Sequence, residues 1–175
     1  CWLTAQTLKP EMWGFLKDRV SKWTHISHTI VQWQQVSLAL TSRVIRTMYG
    51  ASHGADAVVI RIDNDTTTLN LPSKYVFYAW HRVLTVLGDL NAIPNPENHL
   101  MAFQGVKNFV NEFLCVKANL PENILPPDGN AILHIFGKWL FEAIQIHRKG
   151  FDEGTALAVE IVSWIFSDRK DTVFL

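Results

Sequence analysis

The sequence predicts an all-α, solenoid-like (armadillo/HEAT-type) helical stack, with one short β-like hairpin or extended excursion between helices. Three observations lead there. Apolar residues recur at three- and four-residue spacing in six segments. In the longest of these, Ile26, Ile30, Trp33, Val36, Leu40, Val44 and Met48 form one stripe, while Val31, Leu38 and Ile45 begin a second. A helix apolar on two sides is packed on two sides, as in a layered stack. A single stretch, Ala57 to Leu71, leaves this rhythm for β-branched residues around a turn-like Asn64-Asp65.

The elements follow in order. Pro10 suits a first helical turn and opens a helix running to Trp23. Ser27 is the expected cap of the next helix, which ends at Tyr49 before Gly50, a residue suited to a left-handed terminus. Val58–Ile62 and Thr67–Leu71 are the two arms of the excursion; a lone hairpin is marginal in water, so it must lean on helices. Pro72-Ser73 starts a helix closed by Gly88, and Asn95-Pro96-Glu97 starts another through Leu114. Three prolines make Pro121–Gly129 a loop. Asp128 caps a helix extending to His147, and Asp152 caps the last one. No fixed repeat near 34 or 42 residues is visible, which counts against a regular solenoid, although irregular helical-repeat proteins often show none.

Composition narrows the function. Hydrophobic residues make up 48% and charged residues 18% of 175, which excludes a disordered tail or charged coiled coil. Lys plus Arg and Asp plus Glu both number 16, so no basic excess exists for nucleic acid or an anionic membrane surface. No apolar run approaches the ~18 residues of a membrane span. Cys1 and Cys115 are too few for a disulfide framework, and a reducing, cytoplasmic setting is expected. Cys1-Trp2-Leu3 reads as the interior of an element, with no signal peptide. Residues 1–175 are therefore expected to be a single helical-repeat-like domain, a fragment of a longer chain.

Candidate chemistry is sparse. Gly50-Ala51-Ser52-His53-Gly54 satisfies the G-x-S-x-G pattern of serine hydrolases, with Ser52 as the nucleophile. That elbow needs a strand before it and a helix after it, and here the order is reversed. The glycines are better read as ending a helix. His25 and His28 share one turn but do not complete a metal site; His81, His134 and His147 read as core-edge histidines. Asp63 and Asp65 lack a third calcium ligand, and Asp152-Glu153 complements a helix N-terminus. No phosphate cradle occurs. No catalytic, cofactor-binding or metal-binding residue is nominated, no cofactor is expected, and the chain is expected not to be an enzyme. The seven tryptophans read as core, with one or two at an edge where they can anchor a neighbour.

Several stretches carry a resemblance. Trp33-Gln34, Leu38-Ala39-Leu40-Thr41-Ser42-Arg43 and Tyr49-Gly50 come first, followed by Trp80-His81-Arg82-Val83-Leu84. Asn95-Pro96, Phe103 and Phe113-Leu114 follow in order. Ile132-Leu133-His134-Ile135-Phe136-Gly137-Lys138-Trp139-Leu140-Phe141-Glu142-Ala143 is the most specific stretch, and Ile165-Phe166-Ser167 with Lys170 completes the series. Together they resemble the N-terminal helical region of the non-catalytic β subunits of Ral GTPase-activating protein complexes. The resemblance implies a scaffold or interaction region of a regulatory subunit. Its partner would be a catalytic α subunit, and through it a Ral-type small GTPase. The family's catalytic asparagine has no counterpart here. Ala118–Asn130 and Arg148–Phe151 are short where the vertebrate-type subunit has long Ser/Pro-rich insertions, and Ala51–Leu71 departs from it. A generic helical-repeat adaptor is the alternative from composition alone.

Within the most specific stretch, Gly137 costs about 1 kcal/mol relative to Ala in a helix, which suggests close approach of a neighbouring helix. Trp139 is expected to fill the core beside it.

Overall fold

The computed structural model describes residues 3–5, 7–50, 57–62, 64–116, 120 and 124–168. It contains six α-helices and one two-stranded antiparallel sheet among these residues, distributed over two compact units, Cys1–Gly88 and Asp89–Leu175.

Unit 1 begins with α1 (Pro10–Val20), which has Pro10 in its first turn and continues as a 3₁₀ turn over Ser21–Trp23. The long helix α2 (Ser27–Tyr49) follows. Its N-cap is Ile26 and makes no side-chain capping bond, so Ser27 is its first residue and not its cap. Gly50 is also not left-handed: it is extended, at φ −79°. A Cβ there would stand 2.5 Å from the Arg46 carbonyl oxygen, so glycine ends this helix by close approach. The excursion is a hairpin of β1 (Ala57–Ile62) and β2 (Asp65–Asn70), with Ile62 opposite Asp65 and Ala57 opposite Asn70. It does lean on helices. Val58 and Ile60 join Trp13, Leu40, Val44, Leu71, Val76 and Val83 in one core, each large aliphatic contributing roughly 1.5–3 kcal/mol. The helix α3 (Ser73–Leu84) is one turn shorter than its apolar spacing implies, and Gly88 at φ +81° turns the chain after it.

In unit 2, α4 (Pro96–Leu114) is capped by Asn95, whose side chain accepts from Asn98 N–H at 3.1 Å. Asp128 likewise caps α5 (Gly129–Ile144). Asp152, expected as the cap of the last helix, is instead the first residue of α6 (Asp152–Asp168), where it and Glu153 supply negative charge to the first turn. Helix α4 packs on both α5 and α6, so its buried set wraps beyond one stripe, from Asn98 and His99 to Phe113 and Leu114. Phe109 and Phe113 meet Phe136 of α5 at ring separations of 6.4 and 6.1 Å. Helix α5 stops at Ile144, because its last turn is capped through Gln145, and His147 lies beyond it.

One packing expectation is corrected here. A Cβ on Gly137 would meet first Phe141 at 3.4 Å and Leu133 at 3.6 Å, both side chains of its own helix at ordinary contact distance. The glycine that admits a neighbouring helix is Gly154 of α6, where a Cβ would collide with the ring of His99 on α4. Trp139 is buried, at 9% exposure, as a core residue should be.

Candidate functional site

The residues singled out for chemistry do not converge. Ser52, Asp63, Cys1 and Lys170 lie outside the described residues. His25 is exposed and its Nδ1 sits 3.0 Å from the Lys22 carbonyl oxygen; His28 pairs with Gln32 one turn on. His81, His134 and His147 are all exposed and are not core-edge histidines, because each falls on the outer side of its helix or beyond its end. Cys115 is exposed. No group of three or more His, Cys, Asp or Glu that could hold a metal ion occurs among the described residues. The tryptophans divide as expected: Trp13, Trp33 and Trp139 are buried, whereas Trp23 is half exposed and Trp164 sits at an edge under the Lys107 ammonium, 4.5 Å from its ring centre.

The family-like residues of unit 1 form a clamp between α2 and α3. Trp33 donates its indole N–H to the carbonyls of Val83 and Leu84, each at 3.2 Å, in the last turn of α3. Trp80 donates to the Thr41 hydroxyl at 3.0 Å, and Thr41 in turn donates to the Ser37 carbonyl at 2.7 Å. Arg43 is buried at 5% exposure, reaching Ser73 Oγ at 3.2 Å, the Leu71 carbonyl at 3.5 Å and the Thr47 hydroxyl. A guanidinium is always charged, so these donations to the loop before α3 hold the helix pair in register.

Sequence reasoning missed the corresponding centre of unit 2, His99. Its place four residues before Phe103 puts it on the inward stripe of α4, and that spacing is the signal that could have found it. The imidazole is fully buried, with Phe103 at 4.8 Å and Phe151 at 5.1 Å between ring centres. Its Nε2 faces Asn91 Oδ1 at 3.4 Å, while Nδ1 has no hydrogen-bond partner among the described residues. Burial lowers its pKa to about 4; the Arg148 charge acts in the same direction and Asp89 opposes it. Asn91 also donates to the Trp139 carbonyl at 3.1 Å and accepts Arg148 on its own carbonyl at 2.7 Å. A neutral imidazole buried between two helices fixes their contact.

Open grooves occur in both units among the described residues. In unit 1 a groove of about 560 Å³ runs between α2 and β1 and carries Arg46 and Arg61. In unit 2 one of about 590 Å³ lies at the C-terminal ends of α4 and α6, with Cys115, Trp164 and Asp168 on its walls. Such surfaces can hold polypeptide. Among the described residues no helix is long and apolar enough to cross a membrane.

The α2 side of the clamp falls within a match to known proteins. Residues 1–51, which include Trp33, Thr41 and Arg43, match the family model described as the RALGAPB N-terminal domain. This chain resembles the N-terminal region of Ral GTPase-activating protein β subunits. Human Ral GTPase-activating protein subunit beta is 29% identical over 135 residues, covering 69% of this chain and 9% of that protein. A Rap-GAP domain-containing protein of Dictyostelium discoideum is 37% identical over 166 residues, 94% of this chain and 10% of that one. Rat Ral GTPase-activating protein subunit alpha-2 is 27% identical over 105 residues, 54% of this chain and 5% of that one. The chain thus spans about a tenth or less of the length of these relatives. No solved structure matches it.

Proposed function

We propose that residues 1–175 are a scaffold or interaction region of a regulatory subunit in a heterodimeric GTPase-activating complex acting on Ral-type small GTPases. The region is non-catalytic itself. Its direct partner is a catalytic α subunit, the small GTPase is reached through that subunit, and the setting is cytoplasmic. The observation that carries this reading is the likeness to the β subunit over 69% of the chain. The supporting physics is that residues carrying the likeness are committed to packing: Trp33, Arg43 and Trp80 to the α2–α3 clamp, Phe136 and Trp139 to the core under α5. A solenoid-like arrangement, with residues 1–175 as one helical-repeat-like domain of a longer chain, belongs to the same proposal.

Co-purification of the full-length parent with a GTPase-activating α subunit tests it. Stable association supports the reading; a parent that never retains an α subunit leaves a generic helical adaptor. Labelling of Ser52 by a fluorophosphonate, lost in Ser52→Ala, would favour a hydrolase instead. The Dictyostelium relative, named for a Rap-GAP domain, favours a second reading in which the parent carries its own activating domain outside these residues. GTP hydrolysis by Ral or Rap separates the two. Acceleration by the purified parent alone supports the second reading, and acceleration only with the α subunit supports the first.

A further inference from the structure

We propose that the groove between α2 and β1 accepts an extended, acidic polypeptide segment of a partner protein as an added strand on the outer edge of β1. Ile62 lies opposite Asp65 across a connection of two residues, 63 and 64, so the hydrogen-bonded pairs of this hairpin fall on Ile62, Ile60 and Val58. The backbone N–H and C=O groups of Arg61, Val59 and Ala57 therefore point away from β2. Arg46 confirms the direction, since its guanidinium donates to the Ala57 carbonyl at 3.3 Å from the outer side. Among the described residues β1 pairs with β2 alone, so its other edge presents the main-chain groups of Arg61 and Val59 and the Ala57 N–H over about 14 Å, with the Ala57 carbonyl already held by Arg46.

That edge opens into the 560 Å³ groove, whose opposite wall is the Gln35, Ala39, Ser42 and Arg46 face of α2. Three features of the groove define what fits. Among the described residues its charged lining is positive, Arg46 and Arg61, so complementarity calls for carboxylates. Val59 is 47% exposed and offers an apolar contact beside them. Gln35 on the α2 wall adds a side-chain amide that can hydrogen-bond a main chain. Two cations match one or two carboxylates and fall far short of the charge needed to track nucleic acid. The outer edge of β2 presents none of this: it is exposed, threonine-rich and begins with Asp65. Strand addition of this kind takes affinity from main-chain bonds and selectivity from alternate side chains.

The probe is a short fluorescein-labelled peptide alternating valine and glutamate, blocked at both ends, titrated against the whole 175-residue chain by fluorescence anisotropy. Arg61→Glu is expected to weaken binding by about tenfold, and a lysine-for-glutamate peptide to bind at least as poorly. Val59→Pro removes an outward N–H that the hairpin does not use, so it should abolish binding with the hairpin retained. An acidic peptide N-methylated on alternate residues checks the same bonds without altering the protein, and should bind more weakly than its parent. On binding, the amides of Val59 and Arg61 should gain protection from hydrogen exchange. The proposal is overturned if the acidic and basic peptides bind alike. It is equally overturned if Arg61→Glu weakens binding while Val59→Pro and N-methylation of the peptide, at odd or at even positions, do not, because the groove would then hold acids without adding a strand.

Discussion

Unit 1 buries Arg43 and Trp33 and half-buries Trp80, with guanidinium and indole N–H groups reaching carbonyls and hydroxyls of other elements, whereas unit 2 buries His99 between two aromatic rings and a bare glycine. The first arrangement depends on directional bonds. It tolerates small changes of shape but leaves buried acceptors exposed to loss when a donor is removed. The second depends on fit. It tolerates an unpaired nitrogen because the imidazole stays neutral, yet has no room for one added carbon. Each mode therefore fails under a different substitution.

The largest effect expected is in unit 2. Trp139→Ala should cost about 3–5 kcal/mol, seen as a large drop in melting temperature; an unchanged melt with weakened α-subunit binding would place this tryptophan at an interface. Gly154→Ala should cost about 1–3 kcal/mol by forcing His99 and α4 aside, measured by chemical denaturation. Trp33→Phe keeps an aromatic ring but strips the Val83 and Leu84 carbonyls of their shared donor, at a cost of about 1–2 kcal/mol in unit 1.

A pH titration sharpens the contrast further. The folded-state pKa of His99, about 4, lies below its ordinary 6.5, so the unfolded chain takes up the proton first. The stability His99 contributes is whole above its ordinary pKa and is lost as pH falls through the folded value. Melting temperature should accordingly decline over that acidic window, and the part of the decline due to this group should vanish in His99→Leu. The smallest effect closes the series. Gly137→Ala should be neutral or stabilising by up to about 1 kcal/mol, since its new methyl meets only ordinary contacts. Destabilisation there would restore the idea of a neighbouring helix at Gly137.

Helix existence was legible because apolar spacing is set by burial, and Asn95, Asp128 and Pro10 marked starts through local chemistry. The hairpin was legible from Val58–Ile62, although β2 begins two residues earlier than its apolar content suggested, since Asp65 pairs through its backbone. Ser27 and Gly50 were misjudged because cap geometry depends on backbone angles that residue type only biases. The exchange of roles between Gly137 and Gly154 has another cause. Which glycine faces a neighbour is a tertiary fact, and spacing within one helix does not encode it. The same limit hid the groove, whose walls are 11 or more residues apart in sequence, from Arg46 to Ala57 and beyond.

Asn91 carries a consequence for the chemistry of its neighbour. Its amide nitrogen is committed to the Trp139 carbonyl, which turns its oxygen toward His99 Nε2. An oxygen there accepts only if the proton sits on Nε2, so one tautomer is selected and Nδ1 presents a naked lone pair to Gly154. Nitrogen-15 spectra of the imidazole should then show a single pyrrole-like Nε2 and a pyridine-like Nδ1. In Asn91→Leu that spectroscopic asymmetry should fade as the two protonation isomers come closer in energy.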